Sequence, residues 1–210
     1  GAQDVYVRDL AAGTTVLASR LTGVAGAVGN GPSLFASLSG DGTHVAYATL
    51  SSNYPGDADA FFDVYLRDLG TGTTSLVSRQ STLGGGAKGN GNSISPSVDQ
   101  DGSHVAYVSQ STNLSGLDTN TRPDVYVHDT SGILATTGLV SRVDGAGGVV
   151  GNGEVDVAPS ISADGRYVAF VTGSTNLNPA QPTGSVYRRD LVANATDVVD
   201  RADGAGGAAG

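Results

Sequence analysis

The chain has 210 residues, a formal net charge of −9, 39% hydrophobic residues, and neither cysteine nor methionine. So acidic a surface repels phosphate backbones and argues against nucleic-acid binding, while the absence of cysteine removes disulfides, thiolate nucleophiles and cysteine-ligated zinc. No apolar run approaches the roughly 18 residues of a membrane helix, and 32 glycines favour turns over helix interiors.

The first element is DVYVRDL (4–10), followed by a strand ending at Ser19-Arg20. DVYVRDL returns as DVYLRDL (63–69), DVYVHDT (124–130) and SVYRRDL (185–191), spaced by 59, 61 and 61 residues. A period near sixty built of short strand-like pieces means stacked supersecondary units, none able to bury its apolar face alone.

One unit, 92–142, shows the internal plan. NSISPSV (92–98) alternates polar and apolar residues, as a half-buried strand does. DQDG (99–102) is a hairpin turn, because Gly102 tolerates positive φ. SHVAYVS (103–109) reads as a second strand, QSTNLSGLDTNTRP (110–123) as a long loop, DVYVHD (124–129) as a third strand and TGLVSR (137–142) as a fourth. The other units align through the turns SGDG (39–42) and SADG (162–165), and through Gly-rich connectors reaching GNG at 29–31, 89–91 and 151–153. The third copy carries a two-residue insertion near Ile133-Leu134.

Four-stranded antiparallel meanders in tandem predict an all-β chain folded as a β-propeller. A β-helix, the main rival, has shorter coils and parallel strands and needs no Asp-Gly hairpin in each unit. The phase predicts one partial propeller domain over 1–210, with a leading half blade at 4–20 and three complete blades at about 33–79, 94–142 and 157–201. The count is fourteen strands, two plus twelve. The tail GAGGAAG (204–210) matches GAGGVVG (145–151) and stops before a further first strand. Two copies would not close a ring, since each supplies the same half blade. The expectation is therefore a segment of a longer chain, or one cut from a processed, exported protein, whose open edges take further blades or strands from the same longer chain or from another copy.

The series PSISADGRYVAFV (159–171), STNL (174–177) and VYRRDL (186–191) resembles the TolB-like propeller repeat, as does SISPSVDQDGSHVAYVS (93–109) followed by DVYVHD. The resemblance covers essentially the whole chain at low stringency within each repeat. It implies a module of an exported bacterial protein, extracellular or periplasmic, that adheres to or gates something and is usually noncatalytic. Relatives include the TolB component of the Tol–Pal envelope system and propellers that stand before serine peptidase domains. The blades here are longer than the family's usual ones, and the surplus lies in rim loops and connectors, where binding surfaces form.

Chemistry-bearing residues mostly recur with the repeat, which points to scaffold. His44 and His104 share one blade position. His128 replaces an arginine in the series Arg8, Arg67, His128, Arg189. Asp9, Asp68, Asp129 and Asp190, with Arg20, Arg79, Arg142 and Arg201, predict cross-strand pairs or turn hydrogen bonds. Asn30, Asn90 and Asn152 of the GNG connectors are expected at positive-φ turn positions. Asn194-Ala195-Thr196 is a glycosylation sequon, relevant only in a glycosylating host. The acidic rim loops stand apart: Asp57, Asp59 and Asp63 in one blade, and Asp118, Asn120 and Asp124 in the next. Clustered carboxylate and amide oxygens suit a hard cation, so Ca²⁺ is the cofactor these loops would take, although the spacing is not that of an EF-hand.

The leading expectation for function is a noncatalytic module binding a protein or cell-surface partner. A propeller hydrolase or lyase, or a peptidase gate with its site completed elsewhere, is one alternative. A structural surface-layer or filament piece is another.

Overall fold

In the computed structural model, residues 2–81, 86–131, 136–155, 157–177 and 184–200 are described. Ile133-Leu134, Arg201 and the 204–210 tail lie outside these residues. The described chain is all-β, with four antiparallel sheets. The first sheet pairs β1 (Tyr6–Asp9) with β2 (Thr14–Leu17). Three four-stranded meanders follow: β3 (Ser33–Leu38), β4 (His44–Thr49), β5 (Asp63–Asp68) and β6 (Thr74–Leu76); β7 (Ser93–Val98), β8 (His104–Ser109), β9 (Asp124–Asp129) and β10 (Thr136–Leu139); β11 (Ser160–Ile161), β12 (Tyr167–Thr172), β13 (Ser185–Asp190) and β14 (Ala195–Val198). These are propeller blades, and the leading sheet has only a third and a fourth strand.

The middle strands are buried on both faces, which is why they read as nearly continuous runs of Val, Ala and Tyr. One apolar cluster lies at each blade-to-blade junction. Within each blade an aromatic pair stacks across the second and third strands: Tyr47 with Tyr65, Tyr107 with Tyr126, and Phe170 with Tyr187, at 6.5, 6.0 and 5.8 Å between ring centroids. Each pair is directly opposite in register, where cross-strand aromatic contact is strongest.

The Asp-Gly turns form as expected, with Gly42, Gly102 and Gly165 at φ +75°, +80° and +70°. Two of these glycines are required twice over. A Cβ on Gly102 would stand 2.5 Å from His44 Cγ of the preceding blade, and one on Gly165 would stand 2.3 Å from His104 Nδ1. His44 and His104 are therefore packing groups against the next blade's turn.

The first strands depart from simple alternation. A bulge shifts the register between Leu34 and Ser37, and another between Ile94 and Ser97. Phe35 and Ser95 sit in these bulges at φ +54° and +55°. The bulge frees Ser37 and Ser97 to reach sideways, so that Ser37 Oγ accepts from Val98 N and Ser97 Oγ from Ile161 N, each at 3.2 Å. Adjacent innermost strands are thus stapled to each other.

Candidate functional site: the acidic rim loops

The loop between β4 and β5 brings Asp57, Asp59 and Asp63 together, with one carboxylate oxygen of each within 4.8 Å of the others. Asp57 and Asp63 are buried and Asp59 is exposed. The centre of the group is filled by Lys88, which arrives from the connector after the fourth strand. Its Nζ lies 2.5 Å from Asp63 Oδ2, 2.7 Å from Asp59 Oδ2 and 3.3 Å from Asp57 Oδ1. Burial by itself would lower the lysine's pKa, but hydrogen bonds to Asp59 and Asp63 outweigh it and hold the ammonium charged. Burial also raises Asp63, to about 6, against the pull of Lys88 and Ser78. Asp59 feels less burial, and Lys88 together with the Phe61 N–H leaves it below its ordinary value. A divalent ion here would have to displace the ammonium.

The second loop repeats the frame without that cation. Tyr126 donates to Asp118 Oδ2 at 2.6 Å, as Tyr65 does to Asp57 Oδ2 at 3.4 Å. Ser141 donates to Asp124 Oδ1 at 2.6 Å, as Ser78 does to Asp63 Oδ1 at 2.8 Å. The bridge Arg79–Lys88 corresponds to Arg142–Val150, so an apolar side chain stands where Lys88 stood. Among the described residues the buried carboxylate meets only neutral donors, Ser141 on Oδ1 and the Asn120 amide on Oδ2 at 3.1 Å. Burial, with Asp118 adding repulsion, pushes Asp124 up to about 7. The structure thus brings together all six loop residues, three by three. The lysine was missed because it lies 25 residues from Asp63 and in a connector. The signal was there in principle: it is the one cation in the connector series Val28, Lys88, Val150.

The other repeated residues are built into the scaffold, in places differently from expectation. Each third-strand aspartate caps the following turn: Asp9, Asp68 and Asp190 Oδ1 each accept two backbone N–H groups, and Asp129 Oδ1 accepts Ser131 N. The arginines mostly hold backbone carbonyls instead of pairing with those aspartates. Arg20 donates to Gly26 and Val24 O, and Arg67 donates to Leu21, Gly23 and Gly72 O. A fork of donors suits carbonyl clusters, and the aspartates are already committed to their turns.

The GNG asparagines are a correction. None has positive φ; among the described non-glycine residues only Phe35, Ser95 and Asn194 do. Asn90 instead clasps the S-T-N loop at 111–113. Its N–H donates to Asn113 Oδ1, its Nδ2 to Thr112 Oγ1, and its Oδ1 accepts Thr112 N, while Asn113 Nδ2 returns to Lys88 O. Asn30 and Asn152 make the same clasp with Ser52-Asn53 and Thr175-Asn176. Asn194 of the sequon is likewise engaged: its Oδ1 accepts from Arg142 and Arg189.

No protein-family model and no curated protein sequence matches the chain. Solved structures do. A putative TolB from Agrobacterium tumefaciens superposes with a TM-score of 0.54 at 18% identity, over 94% of this chain and 56% of that one. A structure from a study of two prolyl endopeptidases gives 0.50 at 13% identity, over 93% of this chain and 25% of that one. An oligogalacturonate lyase in complex with manganese gives 0.46 at 13% identity, over 94% and 48%. The chain therefore spans about half the length of the TolB structure, and its fold is that of TolB-like propellers.

Proposed function

We propose that this chain is a noncatalytic propeller module of an exported bacterial protein, extracellular or periplasmic, and that it binds a protein or cell-surface partner. The observation that carries this reading is the leading sheet. In every complete blade the third strand pairs with a second strand on one side and a fourth on the other; β1 pairs only with β2 among the described strands. Its other edge presents unpaired N–H and C=O groups, and beside it Tyr6 is 60% and Val16 47% exposed. An open edge with apolar side chains beside it recruits an added strand or blade. Further blades of the same longer chain and those of another copy are the simplest partners. No described helix is long and apolar enough to cross a membrane.

Sedimentation of the purified chain, alone and with bacterial envelope fractions, tests the reading. Association that Arg8→Pro abolishes supports it, because Arg8, unlike Val5 and Val7, turns its backbone N–H away from β2, so that proline there removes a donor of the open edge. Turnover in a hydrolase or lyase screen, lost on changing one residue of a single blade, overturns it.

Ca²⁺ belongs to the same proposal, at Asp118, Asn120 and Asp124, where two acids lie together with no basic partner among the described residues. At Asp57, Asp59 and Asp63 it would compete with Lys88. Melting in chelator against millimolar Ca²⁺ decides: an upward shift supports the ion, and no shift removes it.

A further inference from the structure

The four third-strand motifs read Arg8-Asp9-Leu10, Arg67-Asp68-Leu69, His128-Asp129-Thr130 and Arg189-Asp190-Leu191. The second complete blade alone carries His and Thr. In a repeat protein, the place where one copy departs from the rest is where a singular function can sit.

Both changes fall on the cleft between the first and second complete blades. In the neighbouring junctions this space is tied up by arginines. At the leading junction Arg67 clamps Leu21 and Gly23 O, and Arg20 holds Gly26 and Val24 O. At the last junction Arg189 holds Val143 and Gly145 O, while Arg142 holds Leu139 and Gly145 O and Asn194 Oδ1. At the middle junction His128, a shorter side chain, makes no hydrogen bond to a described connector residue. It is 3% exposed and bonded through Nδ1 to Thr137 Oγ1 at 2.7 Å. Its partner in the series, Arg79, has a guanidinium with no hydrogen-bond or ion-pair partner among the described residues.

Around Arg79 lies a cavity of 460 Å³, lined also by His44, Asp68, Ser75, His128 and Thr130. The equivalent cavity at the last junction is 300 Å³, and its Arg142 is engaged. A volume of 460 Å³ falls in the range of small-molecule sites, about 300–1,000 Å³. Burial keeps the His128 ring neutral, with its pKa lowered to about 4, so it adds no second positive charge. Asp68 Oδ1 is held by Gly70 and Thr71 N–H, and its Oδ2 turns toward His44 Nε2 at 4.0 Å, longer than a hydrogen bond.

We propose that this cleft binds a small carboxylate that also carries hydroxyl or amino groups. Arg79 takes the carboxylate, for which its planar fork is shaped. Asp68, the Ser75 hydroxyl and Thr130 Oγ1, which donates to Gly102 O and is left to accept, face the ligand's remaining polar groups. Arg79 and Asp68 together carry no net charge, which suits a ligand whose carboxylate meets Arg79 and whose ammonium or hydroxyl meets Asp68; a phosphate dianion would be repelled by Asp68 and by the chain's overall negative charge.

Calorimetric titration at pH 7 with L-serine, L-alanine, L-lactate and inorganic phosphate, each separately, tests this. Saturable binding of at least one carboxylate, absent for phosphate, is expected. Arg79→Lys should weaken it tenfold or more, and Arg79→Gln should abolish it. His128→Arg, which restores the repeat residue and fills the cleft, should abolish it while leaving the melting transition intact; Ser75→Leu, at an exposed position of the cleft wall with no side-chain hydrogen bond among the described residues, is the second such variant. Absence of binding by all three carboxylates in the wild type overturns the site. So does binding that Arg79→Gln and His128→Arg leave unchanged. Phosphate binding that depends on Arg79 overturns the ligand class.

Discussion

Replacing Asp124 by Asn should flatten the dependence of stability on pH. Asp124 is fully buried, its Oδ1 takes the Ser141 hydroxyl, and its Oδ2 faces the Asn120 amide. Its folded pKa is about 7 against an ordinary 3.8. A raised folded pKa means that the native state holds the proton more tightly than the unfolded chain. The group's favourable contribution is therefore complete below pH 3.8 and is lost as pH rises through 7. Between pH 5 and pH 8 the linkage relation gives a loss of about 2–3 kcal/mol from this group alone. For a chain of this size that is a fall in melting temperature of roughly 5–10 °C. The asparagine variant imitates the protonated form: its oxygen accepts from Asn120 and its amide donates to Ser141 Oγ. Melting curves at pH 5, 6.5 and 8, in chelator, measure the difference between the two proteins. The variant should match the wild type near pH 5 and exceed it at pH 8. Equal slopes in both proteins would refute the reasoning, because the buried charge would then be compensated by something other than a proton.

Lys88→Met should cost about 3–5 kcal/mol at pH 7.5, since it leaves three carboxylates facing each other. The loss measured by urea unfolding should shrink at pH 5, where Asp63 is protonated. Gly102→Ala should destabilise by more than the roughly 1–2 kcal/mol of a left-handed backbone alone, because its Cβ meets His44. Adding His44→Ala should recover part of that loss, and a purely additive double-mutant cycle would disprove the contact. Asn113→Ala should cost about 2 kcal/mol, at about 1 kcal/mol for each hydrogen bond lost, and should speed amide exchange at Asn90, whose N–H its side chain caps.

Much of the fold was legible because its signals are local. Asp-Gly turns, runs of Val, Ala and Tyr, and a sixty-residue period each constrain a few neighbouring residues, and together they dictate four-stranded blades. The first strand was read less well, since the bulges at Phe35 and Ser95 serve the next blade's first strand about sixty residues away. The asparagine clasps were misread for a related reason. GNG looks like turn chemistry, but its asparagine is spent on a loop more than twenty residues further on.

The sequence by itself determined the architecture, the phase that opens on a half blade, and the two clusters of loop acids. Folding decided what those clusters are. Asp57, Asp59 and Asp63 enclose Lys88, whereas Asp118 and Asp124 meet neutral donors and a valine-bearing connector, because the ion that neutralises a buried carboxylate is chosen by whichever distant segment packs over it. The same holds for Arg79. Its partners in the series are tied down by connectors, and one shorter side chain in the neighbouring blade, His128, leaves it facing an open cleft. Composition and spacing record which groups a chain carries. Only packing records which of them go uncompensated, and it is there that this propeller departs from its own repeat.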